Sequence, residues 1–302
     1  DDYDGSAIST NGSDKTPAKI LLGDYTEVYS EKTNAVYLPS SKDFAVASAK
    51  VTGATGIYVK SGKVEFRSGA EIRGTGEKQD YVYDGNGGRP TGDALVVDNC
   101  GYPNGAPEIT LKNGTFISDN ANAIGSYATA GNGKVTGFVS GGTFSSDPTE
   151  FLADGVIAGK NTAGDEWIVN PEAKIINETT EKYYRYFSDA IDNAAEGDTV
   201  VLLKDLKYGY SGVVIKNSVT IDGNNKTLKC NFYNDYSAIK INSEGVIVTI
   251  KNLKIDTNKI GIWSNAKNVT LNLENSVIEN ATHFAITHNG SYSGFVLNAN
   301  GS

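Results

Sequence analysis

Methionine is absent from this chain, while cysteine and histidine occur twice each and arginine four times in 302 residues. Each shortage removes a class of function. Two cysteines, Cys100 and Cys230, cannot define a disulfide framework, and both are expected to be free, small residues at turns. No zinc-ligand spacing, nucleophile elbow or dinucleotide fingerprint stands in context. Gly85-Asn86-Gly87-Gly88 lacks the Lys-Ser/Thr that would complete a phosphate loop. A net charge of −9 and a pI near 4.9 argue against nucleic acid and anionic membranes, which need a basic face. No signal peptide is recognisable and no apolar run of about 18 residues occurs, so no membrane insertion is expected. Residues that favour helix at helical spacing are also scarce.

What remains is turn chemistry. Glycine, at 34 of 302 residues, exceeds the usual ~7%, and Asn, Ser, Thr and Asp are abundant throughout. Six times a small residue and an aliphatic one open a short run ending in a polar turn. The openings are Gly56-Ile57, Ala94-Leu95, Ala123-Ile124, Ala238-Ile239, Gly261-Ile262 and Ala285-Ile286. From 239 to 262 is 23 positions and from 262 to 286 is 24, a period that signals a coil stacking on itself. Second strands follow. Thr115-Phe116 after Ile109-Thr110-Leu111 recurs 28 residues later as Thr143-Phe144. One coil of short strands cannot bury its inward side chains alone. Stacking at about 4.8 Å pairs every backbone group and aligns the aliphatic residues inside. Asn242, Asn265 and Asn289, at equivalent turns, are expected to form a side-chain ladder.

One segment breaks the pattern. Phe187, Ala190, Ile191 and Ala194 form a helical stripe, with Ser188 as the expected N-cap and Gly197 as the helix-ending glycine. A polar-backed helix is a natural plug for an open solenoid end. The expected fold is therefore all-β, a right-handed parallel β-helix in two tandem units. The first unit spans 1–178, closed by 145–169. The second spans 179–302 and is opened by a capping helix near 187–196. The rung pattern runs on to Phe295-Val296-Leu297, so the chain is expected to be a piece of a longer protein, monomeric as such.

The stretch from Phe187 through Gly197-Asp198-Thr199-Val200 to Val219-Thr220-Ile221-Asp222-Gly223 resembles the opening of right-handed parallel β-helix proteins of the pectate-lyase-like superfamily. Within it, Ser140-Gly141-Gly142-Thr143-Phe144 through Asp154-Gly155 is similar to a segment ending β-helical modules in large surface proteins of gut Firmicutes. The resemblance covers most of 40–302. It implies the fold and an extracellular, cell-surface location. It does not imply one activity, because lyases, hydrolases, adhesins and inert stalks share the scaffold.

The enzymes of that superfamily give a pattern to look for. Hydrolases group aspartates on one sheet near a histidine, but here only His283 and His288 exist. His288 ends a rung, where it reads as a ligand contact or as a turn residue bonded to its neighbours. Lyases hold Ca²⁺ on carboxylates beside a basic residue. The nearest candidates are Asp80, Asp84, Asp93 and Asp98, with Arg89 between them, in or beside the glycine-rich insertion 74–92. That composition is also that of an ordinary exposed loop. Residues flanking the inward aliphatics, Lys240, Trp263 and Thr287 or Tyr58, Val96 and Gly125, form no acid cluster.

Aromatic residues offer a different chemistry. Seventeen tyrosines include Tyr81, Tyr83, Tyr102, Tyr233 and Tyr236 where inserted loops should lie, and Trp263 takes an outward register. Such rings can stack on sugars while Asn and Asp bond hydroxyls; tyrosine also simply suits outer strand faces. The reading is a non-catalytic extracellular module of a bacterial surface protein, an adhesin or spacer with a glycan or host surface as partner and no cofactor. The alternative is a polysaccharide lyase or glycoside hydrolase acting on acidic polysaccharide, and a phage or assembly protein would use the same solenoid. The pattern speaks against an enzyme more than for one.

Overall fold

The computed structural model describes residues 5–13, 18–84, 88–129, 131–161, 164–234 and 236–302. Strand accounts for 49% of the chain and helix for 3%, wound into a β-solenoid, so the all-β expectation holds. The chain divides into two compact units, Asp1–Asn170 and Pro171–Ser302.

In the first unit, strands Lys19–Leu22, Asp43–Val46, Gly62–Phe66 and Pro107–Leu111 stack in parallel as one four-stranded sheet. The other strands join a ten-stranded sheet. There Glu27–Leu38 pairs in parallel with Lys50–Val59. One coil further on, a single long strand gives way to two. Lys50–Val59 pairs with Glu71–Gly74 along its first half and with Leu95–Asn99 along its second. The intervening described residues, 75–84 and 88–94, leave the solenoid at that break.

The repeated small-aliphatic openings form the inner columns. Ile57 pairs with Leu95 and Leu95 with Ile124, continuing a column begun at Val36, and all four are buried. The 28-residue recurrence places Thr115-Phe116 opposite Thr143-Phe144. Phe116 stacks on Phe144 at 5.3 Å and meets Phe66 edge-on at 5.1 Å. Strands Ala158–Lys160 and Trp167–Val169 then pair antiparallel with each other, and the second of them with Gly142–Phe144. An antiparallel partner does not continue the winding, so the segment after Phe144 finishes the stack.

The second unit opens on an antiparallel hairpin, Ala173–Ile176 with Glu181–Tyr184, whose first strand also pairs with Thr199–Leu202. Residues 171–178, assigned by sequence to the first unit, therefore lie in the second. The division falls at 170/171 rather than 178/179. The helix is Phe187–Asn193, shorter than expected, and it buries Phe187, Ala190 and Ile191. Its N-cap is Tyr186 with no side-chain bond, and Ser188 lies inside the helix. Glu172 does the capping instead, its Oε2 accepting the Phe187 N–H at 2.9 Å. A carboxylate there satisfies an orphan donor and complements the positive helix end. The chain then turns extended at Ala194, and Gly197 adopts φ +83°.

Parallel coils follow. Ile239, Ile262 and Ile286 stand in register within the sheet Val213–Ile215, Ser237–Ile241, Ile260–Ser264 and Phe284–His288. Asn265 Nδ2 donates to Asn242 Oδ1 at 3.0 Å, and Asn289 Nδ2 to Asn265 Oδ1 at 2.9 Å, forming the expected ladder. The left-handed corners lie elsewhere: Asn252 and Asn275, at equivalent bends, have φ of 51° and 46°. Among the described residues no helix is long and apolar enough to cross a membrane.

Two substitutions check this packing. Phe116→Ala removes a ring held between two others and should cost about 3–5 kcal/mol in urea unfolding followed through the first unit. Asn265→Ala should cost the second unit about 1 kcal/mol for the broken ladder. Equal, negligible effects would contradict the stacking.

Candidate functional site

The outer face above the inner column Val36, Ile57, Leu95 carries Tyr37 and Tyr58 in register with each other, then Val96. Strand alternation sends the next outward position to Lys60, and one step past the pair Val59–Val97 sets Lys60 beside Asp98. On an open solenoid these side chains would meet water. Here residues 75–84 and 88–94 fold back over them. The C-terminal end of this insertion is pinned by Thr55 Oγ1, which accepts the N–H groups of Thr91 at 2.8 Å and Gly92 at 3.3 Å. Gly88 lies flat on the rings beneath. A Cβ there would stand 3.0 Å from Tyr37 and 3.1 Å from Tyr58.

Under this cover Lys60 and Asp98 are fully buried, with Nζ 3.9 Å from Oδ2. The ammonium also donates to the Asp84 carbonyl. Four tyrosine rings surround it, with centroids at 5.2 Å for Tyr102, 5.8 Å for Tyr83 and 5.9 Å for Tyr37 and Tyr58. The Asp98 carboxylate accepts the hydroxyls of Tyr58 and Tyr81, each at 2.9 Å. Burial pushes the Asp98 carboxyl upward, against the two hydroxyls and Lys60 that favour its charge. Burial and the adjoining carboxylate likewise push the Tyr58 and Tyr81 hydroxyls up. The Cys100 thiol rises to about 11, so it is protonated at neutral pH and is a poor nucleophile. A buried pair satisfied on every side is a clasp, and no substrate reaches it.

Asp93 is spent in the same way. It is buried and accepts Thr91 Oγ1 at 2.7 Å, Tyr127 Oη at 2.9 Å and the Asn122 N–H at 2.9 Å. Tyr127 stacks on Tyr81 at 4.5 Å. Of the acid–base set read from the sequence, Asp93 and Asp98 are therefore internal, Asp84 contributes a carbonyl, and Asp80 and Arg89 are exposed. Residues 85–87 lie outside the described residues. Among the described residues no three of His, Cys, Asp and Glu gather as a metal-binding group.

The tyrosines behave differently. Tyr83 and Tyr102 come together with Tyr37 at a groove of about 520 Å³ whose opposite wall is Ser9–Ser13. Tyr37 Oη and Tyr102 Oη lie 3.4 Å apart, and Tyr83 keeps 54% of its surface exposed. Tyr81 is drawn into the clasp instead. In the second unit Tyr233 is 89% exposed, whereas Tyr236 packs edge-on against Phe232 at 6.1 Å. Trp263 faces outward as expected, with Lys240 Nζ 4.6 Å above its ring. His288 bonds Ser264 Oγ and the Tyr292 carbonyl, both at 3.0 Å, and stacks on Phe295.

A second groove, about 720 Å³, runs along the four-stranded sheet of the first unit. Its charges answer one another: Lys19 with Asp43 at 2.9 Å, Lys63 with Glu108 at 3.6 Å, and Glu65 with Lys112 at 2.8 Å. Arg67 and Lys112 hold the Glu65 carboxyl down at about 2.

The sequence does not single out Lys60, Tyr37 or Tyr127, and marks Tyr58 only as flanking an inward aliphatic. The signal was present: sliding the run at Ile57 onto that at Leu95 sets Lys60 opposite Asp98, a cation over an anion on one face. No protein-family model, curated protein or solved structure gives a significant match to the chain.

Asp98→Asn strands a buried ammonium and should destabilise the first unit by about 3–5 kcal/mol. Lys60→Met added to it should restore part of that loss, because the stranded ammonium is removed while the introduced amide accepts one tyrosine hydroxyl through its oxygen and donates to the other through its NH2. Equilibrium unfolding of both singles and the double decides. Strictly additive losses would show that the two charges do not interact.

Proposed function

We propose that this chain is a non-catalytic β-solenoid module working outside the cell, at a bacterial surface, as an adhesin or spacer whose partner is a glycan. The observation that carries the reading is the fate of the candidate acid–base groups. General acid–base chemistry needs a carboxylate or base within reach of a bound substrate. Asp93 and Asp98 instead have their oxygens filled by hydroxyls and an amide under a covering segment. The outward column Lys240, Trp263 and Thr287 of the second unit carries no acid pair, and the acids that do face each other on neighbouring coils, Asp256 and Glu279, are ion-paired to Lys229 and Lys254. Exposed rings at Tyr83 and Tyr233, with the outward Trp263, supply the flat faces that sugars favour. The surface setting is supported by the resemblance carried by residues 140–155 and 187–223.

The lyase alternative keeps one observation in its favour, the exposed Arg89 close in sequence to Asp80 and Asp84. Incubation with polygalacturonate and Ca²⁺, followed by the ultraviolet absorbance of unsaturated product, separates the two. The expected result is no product, together with retention of specific glycans on an array. Product formation that disappears in Arg89→Ala would establish the enzyme instead.

A further inference from the structure

We infer that the groove bounded by Tyr37, Tyr83 and Tyr102 is a binding site for an uncharged carbohydrate, with pyranose rings stacked on the exposed tyrosine faces. The inference rests on the glycan reading above and specifies where the sugar sits and of which class it is.

The lining decides the class. In a chain of which 21% is charged, the groove is walled by Ser9, Thr10, Asn11, Gly12 and Ser13 on one side, with tyrosine, proline, glycine and Cys100 on the other. None of these carries charge at neutral pH, since the Cys100 thiol is held at about 11. The neighbouring groove on the four-stranded sheet, by contrast, is lined by Lys19, Asp43, Lys63, Glu65, Arg67 and Glu108, among others. A uronate or sulfated sugar entering the tyrosine groove would shed water without gaining a cation among the described residues. Lys60 cannot serve as one. Its ammonium is fully buried, faces Asp98 and the Asp84 carbonyl, and is already neutralised. A cationic ligand is disfavoured for the converse reason: the tyrosine faces that would attract it already surround Lys60.

A neutral pyranose fits what remains. Its C–H face suits the half-exposed Tyr83 ring, and hydroxyl and amide groups of Ser9, Asn11 and Ser13 stand opposite for its hydroxyls. The volume of about 520 Å³ lies within the ~300–1,000 Å³ usual for small-ligand sites. The wall is also set in advance. Tyr102 is held by Lys60 behind it and by Gly12 against its edge, where an added Cβ would collide with the ring. Rigid rings lose little freedom on binding.

Calorimetric titration of the whole chain with cellotetraose, chitotriose and mannotriose, and with trigalacturonate as the charged counterpart, tests this. At least one neutral oligosaccharide should bind, with an affinity unchanged between about 50 and 500 mM salt. Tyr83→Ala and Tyr102→Ser should each weaken it at least about tenfold. Gly12→Ala, which removes no ring but displaces Tyr102, should weaken it too, and Tyr210→Ala, at an exposed ring of the second unit, should leave it intact. Trigalacturonate binding as well as or better than the neutral sugars would overturn the inference while leaving the glycan reading standing. So would neutral-sugar binding indifferent to Tyr83→Ala and Tyr102→Ser. Binding of none of the four probes would overturn the inference, and an empty glycan array would overturn the glycan reading with it.

Discussion

Backbone hydrogen bonding between successive coils, held in register by inward aliphatic columns, is the constraint on which everything else depends. Because side chains alternate along a strand, fixing Ile57 over Leu95 inward also fixes Tyr58 over Val96 outward, and Lys60 beside Asp98. The same rule sets Lys240, Trp263 and Thr287 in a row on the second unit. A slip of one residue would turn each face inside out. The surface chemistry of this protein is therefore a by-product of its core register.

The first unit modifies that plan at one place. A single long strand becomes two, and the chain between them is laid over the outer sheet. Covering an outward lysine and aspartate is costly unless both are satisfied, and a buried pair is weak ground for net stability. Its effect here is placement. Lys60 gathers Tyr37, Tyr58, Tyr83 and Tyr102, and three of those four rings face the groove. The buried charge thus fixes the positions of aromatic groups that a loop alone would leave loose.

Much of the scaffold was legible because it is periodic or local. The openings at Ile239, Ile262 and Ile286 and the recurrence of Thr115-Phe116 at Thr143-Phe144 required only alignment of the chain with itself. The helix stripe from Phe187 to Ile191 was equally plain. Its cap was not, because Glu172 reaches it from a hairpin fifteen residues earlier, and a local rule favours Ser188. The glycine- and aspartate-rich stretch 74–92 read as loop or acid cluster, since composition alone does not say what a segment lies upon. Tyr81, Tyr83 and Tyr102 read from the sequence as equivalent ligand contacts. Their separation into clasp and groove depends on Lys60, whose partner stands 38 residues away.

The most direct measurement is disulfide trapping across adjacent coils. In Thr249→Cys/Asn272→Cys, the two positions are register partners whose side chains now bond at 3.3 Å. Parallel winding predicts rapid, near-complete oxidation of that pair in the folded protein, and little for Thr249→Cys combined with Asn298→Cys, two coils away. Failure of the first pair to oxidise, or equal oxidation of both, would contradict the stacked-coil account.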